Sequence, residues 1–225
     1  MSKYANMAAP RDTHGALLDL HAEIKNDSTF KELCLSHGLL WEDVGNEPRG
    51  YHGPAPEDVQ VLYISAEPGP VTPTERLNLI PAITTGPWID GFDLRLQEHY
   101  WRKNLEVICG SIWPENTVEN MDKHLGGMQS FWISLPDGAT TKAIPRPVLE
   151  YWRQHYAHRL FALFPHAVVL AAGGKAQERL RRLGIDFIGC GAVTTPGCNF
   201  KKVKDSWPVA GQGIRDLLQQ RTAKR

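Results

Sequence analysis

The feature that constrains this chain most is one short run, Val59-Gln60-Val61-Leu62-Tyr63-Ile64-Ser65, which stops at Glu67-Pro68-Gly69-Pro70. It is rich in β-branched and aromatic residues, and apolar side chains fall on both of its faces. That is the pattern of a central parallel strand covered by helices on each side. A parallel strand cannot be closed by a tight hairpin, because its neighbours are reached through crossover connections of a dozen residues or more. The remainder of the chain must therefore alternate strands with helices, and 225 residues suffice for one such core.

Three further strands are legible. Gln129–Leu135 is halted by Pro136-Asp137-Gly138, Ala167–Ala171 is broken by Gly173-Gly174, and a fourth strand covers Asp186–Val193 before Thr195-Pro196-Gly197. Helical periodicity covers Phe92–Cys109 and Val118–Leu125, the latter closed by Gly126-Gly127. Further helices are read at Val148–Phe164, introduced by Pro145 and Pro147, at Lys175–Leu183, ended by Gly184, and at Gln212–Gln220. The expectation is an α/β protein, a three-layer α/β/α sandwich with a central four-stranded mostly parallel sheet, over residues 59–225. Residues 1–58 form an N-terminal helical extension packed on that core within a single domain. Its two helices are capped by Asp12 or Thr13 and by Asp27 or Ser28, and the second ends at Gly38.

Several function classes are excluded at this stage. No apolar run approaches the roughly 18 residues of a membrane span, and Met1–Arg11 lacks the features of a secretion signal, so a cytoplasmic protein is expected. Cys34, Cys109, Cys190 and Cys198 are spaced for neither zinc nor iron–sulfur ligation, so free thiols and no metal are expected. The net charge is zero but unevenly placed. Residues 150–225 carry thirteen Lys/Arg against five Asp/Glu, leaving twelve against twenty before them. A basic third of this kind suits a polyanionic partner; a solvated helix face with a basic tail would read the same way.

Ligands of parallel α/β sheets bind beyond the carboxyl ends of the strands, so the residues following each strand carry the functional reading. Glu67, one residue before Pro-Gly, would be held in a tight turn and could orient or deprotonate a water; an exposed turn acid is the alternative. Thr194-Thr195-Pro196-Gly197-Cys198-Asn199-Phe200-Lys201-Lys202 combines turn amides, an aromatic and two cations, a set suited to phosphate and base, or to an ordinary loop. Gly173-Gly174-Lys175 lacks both the Walker and the dinucleotide-binding pattern, so no nucleotide cofactor is expected. No serine sits in a nucleophile elbow and no histidine pair has metal spacing. Trp88, Phe92, Tyr100, Trp101 and Trp113 crowd the insertion after the first strand. Most are expected in the core, with one free to stack on a planar ligand above Glu67.

Taken in order, these strand ends resemble the uracil-DNA glycosylase superfamily over about Val59 to Leu218. The first motif is Ser65-Ala66-Glu67-Pro68-Gly69, and Pro70 strengthens a likeness to the single-strand-selective and mismatch-specific branches. Phe131-Trp132-Ile133-Ser134-Leu135 lies where that family's base-recognition strand ends. Phe164-Pro165-His166-Ala167-Val168-Val169-Leu170 and Gly174-Lys175-Ala176 look like its penultimate strand and helix, and Thr195-Pro196-Gly197 occupies its second motif. The resemblance implies a monomeric, cofactor-free enzyme that flips one nucleotide out of DNA and hydrolyses its N-glycosidic bond. It implies catalytic roles for Glu67 and Thr195, and base contacts from Ser65, Ala66, Pro68, Gly69, Ser134 and either Trp88 or Phe92. The DNA grip would come from Pro196, Gly197, Asn199, Phe200, Lys201, Lys202 and Lys175.

Two departures shape the substrate. Ser134 stands where the family places a uracil-reading Asn, and Thr195 where it places a His that steadies the departing base. A modified pyrimidine with a bulky 5-substituent, as in phage DNA, fits a pocket that a serine leaves open, and would connect the chain with antiviral defence as well as repair. The missing His leaves open an inactive nucleic-acid-binding module of the same fold. An α/β protein for a small phosphorylated ligand, with Gly173-Gly174-Lys175 as anion site, is the remaining reading.

Overall fold

The computed structural model describes residues 12–41, 50–66, 84–85, 100–136, 144–194 and 197–223. The protein is α/β. Its sheet has five strands of three or more residues and a two-residue sixth, in the order β3-β1-β4-β2-β5-β6. These are β1 Tyr51–Gly53, β2 Val61–Ser65, β3 Thr84–Thr85, β4 Leu125–Gln129, β5 Val168–Ala172 and β6 Ile188–Cys190. The strands β4, β2, β5 and β6 are mutually parallel, with Val61 beside Leu125 on one side and Val168 on the other. One edge departs from this: β1 is antiparallel to β4 and carries β3 parallel to itself. The expected four-strand sheet is thus extended by β1, which lies in the loop that follows the two helices of the N-terminal extension.

Among the described residues seven helices cover the sheet: α1 Thr13–Asn26, α2 Ser28–Ser36, α3 Tyr100–Ile112, α4 Thr117–His124, α5 over 146–162, α6 Gly174–Leu183 and α7 Lys201–Ala223. Helix α5 is composite, with a π-helical segment Arg153–Ala157 between Arg146–Trp152 and His158–Ala162. Asp12 caps α1 by accepting from the Gly15 N–H, and Asp27 caps α2 by accepting from Phe30 N–H. None of the described helices is long and apolar enough to cross a membrane.

β2 is buried on both faces, as its sequence demands. Leu62 and Ile64 point into one core with Leu17, Phe30, Trp152 and Leu180 from α1, α2, α5 and α6. Val61 and Tyr63 point into a second core with Leu105, Ile108, Trp207 and Ile214 from α3 and α7. This division follows from the connections. β2 reaches β4 through α3 and α4, whereas β4 to β5 and β5 to β6 run the opposite way across the sheet through α5 and α6. Right-handed crossovers in opposite directions place their helices on opposite faces.

Two sequence boundaries are corrected. The second parallel strand is Leu125–Gln129, not Gln129–Leu135. Its Gly126-Gly127, read as the end of a helix, lies within the strand because the Tyr51 ring of β1 fills the space a side chain at 126 would need. A Cβ there would sit 2.7 Å from that ring. Residues 131–135 are instead an irregular buried segment contributing Phe131, Trp132, Ile133 and Leu135 to the first core. The last helix starts at Lys201, not Gln212, despite Pro208 inside it. The apparent breaker Gly211 is where α7 touches α3: a Cβ would lie 2.5 Å from the Ile108 carbonyl oxygen.

Candidate functional site

The carboxyl ends of the four parallel strands share one edge of the sheet, and there the connections diverge. β2 leaves toward β4 and β5 leaves toward β6. A crevice outside two such strand ends is the general ligand position of open α/β sheets. Its floor is built from Ser65-Ala66 after β2 and Gly173-Gly174 after β5.

Ser65 and Ala66 are half-buried and tightly held. The Ser130 N–H, just past β4, donates to the carbonyls of both Ser65 (2.8 Å) and Ala66 (3.0 Å). The Ser130 hydroxyl donates to the Ala66 carbonyl at 2.8 Å, and itself accepts from Arg179 Nη1 at 3.2 Å. The Trp152 indole N–H donates to the Ser130 carbonyl. Both carbonyls of the main chain that leads into Glu67 are therefore held from Ser130. Glu67 itself, with Pro68, Gly69, Trp88 and Phe92, lies outside the described residues.

Neither Ser130 nor Arg179 was singled out from sequence, and one of them left a signal. Arg179 is only 6% exposed and shares the stripe Ala176, Arg179, Leu180, Leu183 on α6. A charge on the apolar face of an amphipathic helix is a candidate for a buried polar contact. Ser130 left none, because the misplaced strand hid it in mid-element.

At the end of β5, Gly173 adopts φ +86°, a left-handed value that spares a glycine strain, and precedes α6. A Cβ on Gly174 would meet nothing within 4 Å, so the N-terminal turn of α6 is open to solvent. Lys175 follows in that first turn, half-buried.

Ser134 is placed differently from expectation. It is fully buried, five residues beyond the end of β4, and its carbonyl accepts from Leu40 N–H in an isolated antiparallel bridge. Its hydroxyl has no hydrogen-bond partner among the described residues. Gln129, not Ser134, lies abreast of Ser65 at the strand end.

The segment after β6 sits at the same edge. Thr195 and Pro196 lie outside the described residues; Gly197–Asn199 form a 3-10 turn closed by Phe200 N–H donating to Gly197 O, and Cys198 N–H donates back to Thr194 O. The base of the loop is fastened from two helices. Asn104 of α3 donates to Val193 O, and Trp207 of α7 donates to Gly191 O while Ser206 Oγ accepts from Gly191 N–H. On this base stand Asn199, Lys201 and Lys202, all exposed, and Phe200, with 64% of its surface in water. Lys201, Lys202 and Lys204 open a 23-residue helix. Cations at a helix N-terminus oppose its dipole, so local stability does not account for their placement.

Trp113, one of the aromatics of the insertion, is not part of this edge. It follows α3 at the opposite end of the sheet, near Gln60. Nor are the thiols available as nucleophiles. All four are unpaired and buried, and burial pushes Cys34 and Cys190 up to about 12 and raises Cys109 as well. Among the described residues no group of three His, Cys, Asp or Glu side chains is placed to hold a metal ion. The chain matches no protein-family model, no curated protein and no solved structure.

Proposed function

We propose that this protein is a DNA glycosylase that hydrolyses the N-glycosidic bond of a flipped, modified pyrimidine. The observation that carries the reading is the shared edge. The rigid Ser65-Ala66 lead-in to Glu67 and the exposed Phe200-Lys201-Lys202 platform both stand at the carboxyl ends of one parallel sheet.

In this reading Lys201, Lys202 and the amides of the 197–199 turn hold backbone phosphates, and Phe200 enters the gap left by the everted base. Extrusion costs a few kcal/mol of unstacking, met by these contacts. The Glu67 carboxylate orients a water at the anomeric carbon and stabilises the oxocarbenium-like sugar. The glycosidic C–N bond breaks with its electron pair on the base, water adds to the sugar carbon, and the proton that water loses passes to the carboxylate and then to the base. Thr195 donates a hydrogen bond to the departing base, Trp88 or Phe92 stacks on it, and Lys175 supplies a further cation beside the crevice. Ser134 is sealed beneath residues 39–41, so the pocket edge falls to Ser65, Ala66, Pro68 and Gly69. The protein acts as a monomer without a cofactor, in the cytoplasm, where its four thiols stay reduced.

Oligonucleotides carrying uracil, 5-hydroxymethyluracil or glucosylated hydroxymethylcytosine, incubated with the protein and then with alkali, break wherever a base has been removed. We expect cleavage of at least one, reduced about 100-fold or more by Glu67→Gln. Undiminished cleavage by that variant overturns the catalytic assignment. Salt-dependent DNA binding with no base released from any substrate points instead to an inactive binding module, the reading that Thr195 in place of a His favours.

A further inference from the structure

At the opposite end of the molecule a cleft of about 630 Å³ opens between the last turn of α3 and the last two turns of α7. Its volume lies within the range of small-molecule sites, about 300–1,000 Å³. Arg215, Leu218, Gln219, Thr222 and Ala223 recur at helical spacing and form one wall, and Ile112–Glu115 form the other, with Gln60 at the base.

The lining has a distinct chemistry. Trp113 packs one part of its indole against the second core and leaves the rest half-exposed in the cleft. Arg215 is half-buried, yet makes no hydrogen bond or ion pair with any described residue. Glu115, exposed, lines the same cleft, and the two form no ion pair. The cleft therefore offers one aromatic face, one guanidinium and one carboxylate, neither of the two charges paired with a described residue. Both flanking helices end here, and their terminal carbonyls add partial negative charge that offsets the guanidinium. The near-neutral balance disfavours a polyphosphate and favours a neutral planar molecule with an acceptor edge and a donor edge. Unpaired nucleobases are recognised in this way, by stacking on aromatic rings or guanidinium planes and by hydrogen bonds to their edges.

We infer that this cleft is a nucleobase-binding site, separate from the edge described above. Trp113 stacks on the base, Arg215 donates to its acceptor edge, and Glu115 accepts from its amino edge; bases with an exocyclic amino group, such as guanine and cytosine, fit best, because the single N–H of thymine is flanked by two carbonyl oxygens that repel a carboxylate. The base can come from a free nucleoside or from an unpaired nucleotide in a strand.

The test is a titration followed by the indole N–H resonance of Trp113, identified by its loss in Trp113→Phe. The probes are guanosine, cytidine, thymidine, guanosine triphosphate and a guanine tetranucleotide. We expect saturable shifts with guanosine and cytidine, at least 3-fold weaker binding of thymidine and of the triphosphate, and at least 10-fold weaker guanosine binding in Arg215→Ala. Because Arg215 makes no bond to a described residue, this variant folds normally, whereas Trp113→Ala risks the core. Tighter binding of the tetranucleotide assigns the site to a strand and equal binding to a free nucleoside, and either upholds it. No saturable shift with any probe, or guanosine binding unchanged in Arg215→Ala, overturns it. The readout needs no catalysis, so its failure leaves the glycosylase proposal standing and its success does not lend that proposal support.

Discussion

The two helical layers that sandwich the sheet are held in different ways. Within the α3–α7 layer the two helices meet by steric contact, where Gly211 lets the α7 backbone approach the Ile108 carbonyl. The layer of α1, α2, α5 and α6 is full of polar ties. Asp27 caps α2 and also accepts from the hydroxyls of Tyr151 and Tyr156 on α5, while Arg179 and Ser130 reach from α6 and the end of β4 to Ala66. Steric contacts are indifferent to pH and intolerant of volume, whereas polar ties tolerate volume but depend on charge and partner. The candidate site is fastened by hydrogen bonds from both layers, its first strand end through Ser130 and Arg179 and its last loop through Asn104, Ser206 and Trp207.

The largest effect belongs to the steric layer. Gly211→Val places carbon atoms where the Ile108 carbonyl and Ser111 Cβ already stand and costs about 3 kcal/mol, by urea unfolding. The cost is the same at pH 5 and pH 8; a strong pH dependence would break the contrast between the layers. Ser130→Ala costs less, about 2 kcal/mol, because it removes one bond to Ala66 O and one acceptor of a buried guanidinium. If the chain releases a base as proposed, the variant also weakens that release more than stability alone explains, since the main chain entering Glu67 is loosened. Equal activity at matched folded fraction would argue that the Ser130 network serves only the fold.

Asp27 tests the polar layer by charge. Burial pushes its carboxyl up, but hydrogen bonds from Tyr156, the Phe30 N–H and Tyr151 outweigh that and hold it below the usual carboxylate range. A group lowered on folding stabilises the native state above its unfolded value, near 4, and loses that contribution as pH falls through the folded one. Asp27→Asn therefore costs about 1 kcal/mol at pH 7, solvent screening of a half-buried group keeping it small, and the difference from wild type closes as pH falls through the folded carboxyl's titration. A difference independent of pH would place its origin in packing.

The extent to which this architecture could be read from the chain follows the same division. β2 is legible because both of its faces are apolar, and α1 and α2 because Asp12 and Asp27 mark their starts. β4 is misplaced because its glycines are explained only by Tyr51, which is distant in sequence and packs on them. The last helix is truncated in the reading because Pro208 and Gly211 look like breakers when α3 is not in view. Of the site, the strand-end rule alone brings Ser65, Ala66, Gly197, Phe200 and Lys201 to one edge. Ser134 is misassigned through the slipped strand, and Arg179 and Ser130 become visible only once α6 and β4 are packed.

The smallest effect on stability comes from the group expected to matter most outside the fold. Lys201 is 87% exposed and pairs with Asp205 at 2.6 Å, in the i,i+4 order that places the cation nearer the helix N-terminus. That order opposes the helix dipole, and the pair lies in water, so Lys201→Ala changes stability by no more than about 0.5 kcal/mol in either direction. If the lysine contacts a DNA phosphate, the same variant weakens binding of every sequence alike and lowers the slope of log affinity against log salt by about 1. Lys202→Ala should repeat that result, and Lys123→Ala, in another exposed i,i+4 pair at the far end of the sheet, should leave the slope untouched. A slope unchanged by Lys201→Ala and Lys202→Ala would take DNA away from the α7 platform. A loss confined to those two would show that the cations at the start of α7 are kept against the helix dipole for a partner outside the fold.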